Sequence, residues 1–260
     1  MSDLELLRGA AIEAGRIAVA RRKKGLQIRS KPGGSPVTNA DLEVDAYLTK
    51  VLTEARPDYG WLSEETADDP ARLDKRRIFI VDPIDGTVAF MKHKPWFSVA
   101  LAVIEDGRAI AGVVHAPMLK ETYCAAAGEG ATLNGAPIAP SESDTLDDCA
   151  MLGDAQLFAR PDWAEPWPQM RVEKRNSIAL RMAFVAAGAF DAALALGPKS
   201  DWDVAAGAVI AEEAGAIVTD ASGRPFRFNK ADPRQPSLVC AAPGVHPLIL
   251  ARTAPIESGV

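Results

Sequence analysis

The chain has 260 residues, 48% of them hydrophobic and 25% charged, which suits one large or two small globular domains with a sizeable core and excludes a disordered chain. Lys and Arg number 29 against 35 Asp and Glu, a net charge of −6 that argues against a broad basic face gripping a nucleic acid polymer. Small anionic substrates stay open, because bound metal ions can reverse a local field, and no apolar run is long enough to imply a membrane partner.

Ser2-Asp3-Leu4-Glu5 has the form of a capping box, and Leu7, Ala11, Ala14 and Ala18 then recur at helical spacing. A first helix is predicted to about Lys24, amphipathic and unlike a secretory leader because its basic cluster follows the apolar part. Lys31 to Pro36 reads as a flexible loop. A second helix is predicted from near Asn39 to before Pro57, with Val44, Leu48, Val51, Leu52 and Ala55 facing inward. Ile78-Phe79-Ile80-Val81 reads as a strand covered on both faces, ending at Asp82. Phe97 to Ile104, Ala109 to Val114 and Thr122 to Ala126, separated by turn signals, predict an antiparallel meander. Gly128-Glu129-Gly130 is followed by strand-like Ala131-Thr132-Leu133, so it reads as a hairpin and not a dinucleotide loop.

Polar Ser141 to Asp148 is the best linker candidate, dividing an N-terminal α+β half (1–145) from a C-terminal α/β half (146–260). Beyond it we expect strands near Ala150–Leu152, Ala189–Ala195, Ile217–Val218 and Leu238–Cys240. Helices are predicted at Ile178–Ala187, Val204–Ala214 and Pro247–Arg252. The fold class is therefore α/β, layered, with one polar cleft between the halves.

Cys124, Cys149 and Cys240 are scattered and odd in number, with no CxxC, so a reducing cytoplasm is the expected location. His93, His115 and His246 are isolated and read as structural.

The informative segment is Asp82-Pro83-Ile84-Asp85-Gly86-Thr87. Pro83 keeps Asp82 extended, Asp85 falls in a turn, and Gly86 permits close backbone approach. A helix beginning there would aim the Gly86 and Thr87 amides at a phosphate beside two carboxylates. Those carboxylates repel an anion unless cations intervene, and Mg2+ suits an all-oxygen set. The hexapeptide therefore predicts metal-assisted phosphoryl chemistry, against the plainer reading of an Asx-type turn. Leu62-Ser63-Glu64-Glu65-Thr66 is a second acidic element. Asp201-Trp202-Asp203, before a helix, is a third that also reads as an N-cap. Thr38-Asn39-Ala40-Asp41 is a fourth, where Thr38 or Asn39 can simply cap the second helix.

Together, and in this order along nearly the whole chain, these segments resemble the inositol monophosphatase family of lithium-sensitive, Mg2+-dependent phosphomonoesterases. The resemblance implies an αβαβα sandwich and two to three Mg2+ per site. It implies Glu64, Asp82 and the Ile84 carbonyl on one ion, and Asp82, Asp85 and Asp203 on a second. It also implies phosphate on the amides of Gly86 and Thr87, water oriented and deprotonated by Asp41 and Thr87, and Glu64 taking part in catalysis. Homodimers and inhibition by Li+ are further family expectations.

For the substrate, Gly197-Pro198 before Trp202-Asp203, Leu62-Ser63-Glu64-Glu65 and Val114-His115-Ala116-Pro117 resemble the 3′(2′),5′-bisphosphate nucleotidase branch. Asp85, Lys199 and Ser177 are then the expected substrate contacts, Lys199 and Ser177 at a second phosphate. Lys199 reads equally as a solvated lysine, and Val88 departs from the Lys common in that branch. An inositol or other polyol phosphate is the alternative, and a non-catalytic phosphate-ester-binding regulator a third. Arg171, Arg175 and Arg181 read as surface ion-pairing residues. An aspartyl-nucleophile phosphatase is disfavoured, because two residues separate Asp82 from Asp85.

Overall fold

Helix α1 (Asp3–Lys24) begins at the capping box: Glu5 N–H donates to Ser2 Oγ at 3.2 Å and Ser2 N–H donates to Glu5 Oε2 at 2.7 Å. The computed structural model describes residues 1–31 and 34–257. Strands β1 (Ile28–Ser30) and β2 (Pro36–Thr38) pair antiparallel, closed by Lys31 N–H to the Ser35 carbonyl at 2.8 Å. These strands fall where only a loop was expected, and Pro32 and Gly33 of that loop lie outside the described residues. Then come α2 (Asn39–Ala55), β3 (Gly60–Ser63), β4 (Arg77–Asp85), α3 (Thr87–Met91), β5 (Ser98–Glu105), β6 (Arg108–Ala116), β7 (Glu121–Ala126), β8 (Gly130–Leu133) and β9 (Ala136–Pro137). The second half holds β10 (Ala150–Leu152), α4 (Ala155–Phe158), β11 (Arg171–Glu173), α5 (Ile178–Ala186), β12 (Ala192–Ala195), β13 (Lys199–Ser200), α6 (Asp201–Ala214), β14 (Ile217–Thr219), β15 (Arg234–Gln235), β16 (Leu238–Ala241) and α7 (His246–Glu257).

A seven-stranded sheet runs in chain order from β3 to β9, antiparallel except for the β3–β4 pair. A five-stranded sheet has the order β11-β10-β12-β16-β14 and mixes parallel and antiparallel pairs. Period-two alternation sorts the side chains between layers. Phe79, Val81, Val99, Leu101 and Val103 pack under α1 and α2, while Ile78, Ile80, Ala100, Ala102 and Ile104 face Met182 of α5 and Val209 of α6. The other side of α5 and α6 meets Leu152, Ala193, Val218 and Cys240 of the second sheet. The far face of that sheet carries Met151, Ala192, Val239 and Ala241 against Ile249 of α7. The layers are thus α-β-α-β-α, as expected. Burial contributes about 1.5–3 kcal/mol for each large side chain against ~1 kcal/mol for a cap, so layer packing outweighs capping.

Gly112 permits the closest layer contact, since a Cβ there would lie 2.9 Å from the Ala206 carbonyl and 2.5 Å from Val209 Cγ1. Two boundaries differ from expectation. Strand β4 does not end at Asp82 but continues to Asp85 through an irregularity opposite β5, because Pro83 removes a ladder N–H without turning the chain. Helix α6 starts at Asp201, capped by Ser200, with Asp203 as the returning member of its capping box. No described helix is long and apolar enough to cross a membrane.

Candidate active site

The irregular end of β4, the loop after β3 and the first turns of α3, α5 and α6 meet at one polar cavity of about 310 Å³. It is lined by Glu64, Asp82, Asp85, Gly86, Thr87 and Asp203, with Asn176 and Ile178 beside them. Asp82, Asp85 and Asp203 bring one oxygen each to within 4.8 Å of one another. Three carboxylates this close repel, and burial strips their hydration. Asp82 is 1% exposed, and burial first, then the charges of Glu64, Asp85 and Asp203, push its carboxyl well above the usual range. Burial and its acidic neighbours raise Asp203 to about 7. Burial raises Asp85 to about 6 even though three donors favour its charged form. The donor set is hard, anionic and all-oxygen, and it fits a hard divalent cation of the Mg2+ type.

Asp85 receives Ser177 Oγ at 2.5 Å and the amides of Ile178 at 3.1 Å and Ala179 at 2.7 Å, so it caps the start of α5 while facing the cavity. The Ser177 hydroxyl also accepts Leu180 N–H at 3.0 Å and lies 3.0 Å from Ser98 Oγ. Its one donor and two acceptor sites are then occupied, which leaves nothing for the substrate contact expected of it. Gly86 has φ +92°, and a Cβ there would come 2.9 Å from the Trp96 carbonyl, so only glycine carries the chain from β4 into α3.

Asp41 caps Thr38, accepting its N–H at 2.8 Å and its hydroxyl at 2.5 Å. Its other oxygen lies 3.4 Å from Thr87 Oγ1, which is 3.1 Å from the Ile84 carbonyl. Burial raises the Asp41 carboxyl above its ordinary value, partly offset by the Thr38 bonds. Five predicted side chains, Asp41, Asp82, Asp85, Thr87 and Asp203, therefore converge. Glu64 sits on the cavity wall outside the close trio, paired with Lys31 Nζ at 2.8 Å, and Lys31 also reaches Glu65 at 2.7 Å. Burial opposes charge on Lys31, but the two glutamates outweigh it and raise its pKa. Lys31 was not foreseen, because its strands are three residues long and flank a Pro/Gly segment.

Lys199 is not in the acidic cavity. It lines an annex of about 530 Å³ with Arg160, Lys174 and Arg181, joined to the acidic cavity at Ile178, and donates to the carbonyls of Gly197 and Pro198 at 3.1 and 3.0 Å. Burial lowers the pKa of both Lys199 and Arg181. Arg181 is only 9% exposed and donates to the Arg175 carbonyl through Nε at 2.6 Å, so it is no surface ion pair. Its signal was a single charge in the otherwise apolar run Ile178 to Val185. Arg175 lies over the Trp96 ring at 3.9 Å and pairs with Glu173.

Residues 2–257 match the model of the inositol monophosphatase family. The fructose-1,6-bisphosphatase/inositol-1-monophosphatase of Thermotoga maritima is 36% identical over 72% of each chain. The 3′(2′),5′-bisphosphate nucleotidase CysQ of Aggregatibacter actinomycetemcomitans is 32% identical over 80% of each. The solved Thermotoga maritima IMPase superposes with a TM-score of 0.85 at 28% identity, covering 99% of both chains. Motif order, layering and these likenesses agree, and the chain belongs to the inositol monophosphatase family, whose members are Mg2+-dependent phosphatases.

Proposed function

We propose that this enzyme is a Mg2+-dependent phosphomonoesterase acting on small phosphate esters that carry a second anionic group, with a 3′(2′),5′-bisphosphate nucleotide as the leading substrate class and adenosine 3′,5′-bisphosphate, cleaved to AMP and phosphate, its representative. The observation that carries the phosphatase chemistry is the meeting of Asp82, Asp85 and Asp203 oxygens within 4.8 Å beside the Gly86–Thr87 turn. Asp82, Asp85 and Asp203, with Glu64 and the Ile84 carbonyl, would hold the ions. When bound, Mg2+ supplies activation of water and neutralisation of charge on the phosphoryl group. The Gly86 and Thr87 amides orient the phosphate. Thr87 Oγ1 orients the attacking water, and the water's proton passes toward Asp41, whose carboxyl burial makes more basic than an ordinary aspartate. The P–O bond to the leaving group breaks, and the alkoxide takes up a proton to leave as the alcohol.

The nucleotide preference rests on the cationic annex. Arg181 and Lys199, partly dehydrated and one shared wall from the acidic cavity, suit a second phosphate. A polyol monophosphate is the second reading, favoured by the 36% identity to a relative named for fructose bisphosphate and inositol phosphate. The test is phosphate release from adenosine 3′,5′-bisphosphate, inositol monophosphate and fructose 1,6-bisphosphate, with and without Mg2+ and with Li+ added. The proposal expects Mg2+-dependent, Li+-inhibited release with the highest kcat/KM for the nucleotide. Equal rates after thorough chelation overturn the metal chemistry. A preference for inositol monophosphate overturns the annex reading alone. Silence toward all three esters, with thermal stabilisation by them, would favour a binding protein.

A further inference from the structure

Glu64 stands on the loop after β3, and a buried carboxylate outside the cavity holds that loop from both sides. Asp45 lies one helical turn after Asp41 on α2, so the two project from the same face. Asp45 Oδ1 accepts the Ser63 hydroxyl at 2.6 Å, and Oδ2 accepts the Thr66 hydroxyl at 2.8 Å. Ser63 and Thr66 bracket Glu64 and Glu65. Ser63 Oγ in turn accepts the Glu65 N–H at 3.4 Å, and Glu64 N–H reaches the Val81 carbonyl at 3.3 Å. Among the described residues, those lining the acidic cavity do not include Asp45. Its partners are both hydroxyls on either side of the glutamate pair.

We infer that Asp45 is a positioning residue that clamps the Ser63–Thr66 turn and thereby sets the affinity of the Glu64 side of the cavity for its cation. The inference rests on the metal site of the proposed function. One rigid helix then fixes both Asp41 and, through Asp45, the loop of Glu64, so their spacing is set by the pitch of α2. Outer partners that orient a ligand typically change metal affinity roughly 10–100-fold when removed.

The test is direct Mn2+ binding, by calorimetry or paramagnetic resonance, on the full chain and on Asp45→Ala and Thr66→Val, each with an ion-free melting curve. Asp45→Ala is expected to weaken Mn2+ binding roughly tenfold or more, while kcat at saturating metal changes far less than the metal concentration needed to reach it. Thr66→Val removes one hydroxyl at an exposed position and is expected to weaken Mn2+ binding by a smaller factor. The two effects should be less than additive when combined. Should Asp45→Ala fail to fold, Thr66→Val alone decides. A folded variant with lowered melting temperature but unchanged Mn2+ affinity overturns the inference, because that is what a purely structural role gives. Wild-type protein that binds no Mn2+ overturns the metal site, and this inference with it.

Discussion

Two adjoining cavities of opposite charge meet at Ile178. One gathers Asp82, Asp85, Asp203 and Glu64, and the other Arg160, Lys174, Arg181 and Lys199 with Asp154, which pairs with Lys174 and leaves the annex net cationic. The acidic cavity cannot accept an anion without a cation, whereas on the proposed function Arg181 and Lys199 of the annex meet one directly. A phosphate ester with two charged ends matches the pair only in one orientation. On the proposed function the reacting phosphate would face the carboxylates through metal, and the other anion the guanidinium and ammonium groups. That reading separates specificity from chemistry in space, which makes the two separable by mutation.

The largest expected effect breaks the acidic side. Asp85→Asn should lower kcat/KM for any ester by about a thousandfold, beyond the 10–100-fold typical of losing an outer partner of a ligand. Its melting temperature should also fall, since both Asp85 oxygens accept amides of α5 and an asparagine offers only one acceptor there. Next, Arg181→Met should raise KM for a bisphosphate roughly 10–100-fold, the worth of a hydrogen bond to a charged group of about 1.5–3 kcal/mol. Turnover of inositol monophosphate should stay close to wild type, and an equal loss for both esters would dissolve the distinction between the cavities. Lys199→Met should act in the same sense by a smaller factor, because its Nζ lies on its own loop carbonyls.

A pH series sharpens the comparison further. Burial on folding raises Asp85 to about 6 and Asp203 to about 7, above the ordinary range of an aspartate. The folded, ion-free protein therefore binds these protons more tightly than the unfolded chain. Their contribution to stability is fully present below about pH 4 and is lost as pH rises through 6 to 7. Metal competes for the deprotonated forms, so the rise in Tm on adding Mg2+ should grow from pH 5 to pH 8. A Mg2+ effect that is flat across this range would remove these carboxylates from the ion site. The smallest effect should come from Lys31→Met. It withdraws a cation from Glu64 and Glu65, so it should lower Tm of the ion-free protein by a few degrees, about 1 kcal/mol for a partly buried pair. Mg2+ should restore most of that loss.

Much of this was legible in the chain. The hexapeptide Asp82–Thr87 combines Pro, Gly and two carboxylates after a β-branched run, and each residue type constrains the backbone locally. The unbroken apolar run Ile78–Val81 announced a strand covered on both faces. The cap at Ser2 and the break before Pro57 bounded their helices. What was illegible depends on distant pairing. Strand β3 is four residues long and gains its identity from β4. Ser177 looked like a free hydroxyl until the fold set Asp85, 92 positions away, against it. Arg181 read as a surface charge because nothing local tells a buried guanidinium from a solvated one. Its partner, the Arg175 carbonyl, is backbone and leaves no mark in the sequence pattern.

The grip of Asp85 on α5 has a consequence beyond catalysis. One carboxylate of the seven-stranded sheet holds the first amides of a helix that belongs to the neighbouring layer. Whatever changes the charge on Asp85 changes how firmly that seam is stitched. Deuterium uptake at Ile178 and Ala179 should therefore slow when cations load the cleft and quicken when acid unloads it, making two backbone protons a gauge of occupancy that needs no substrate.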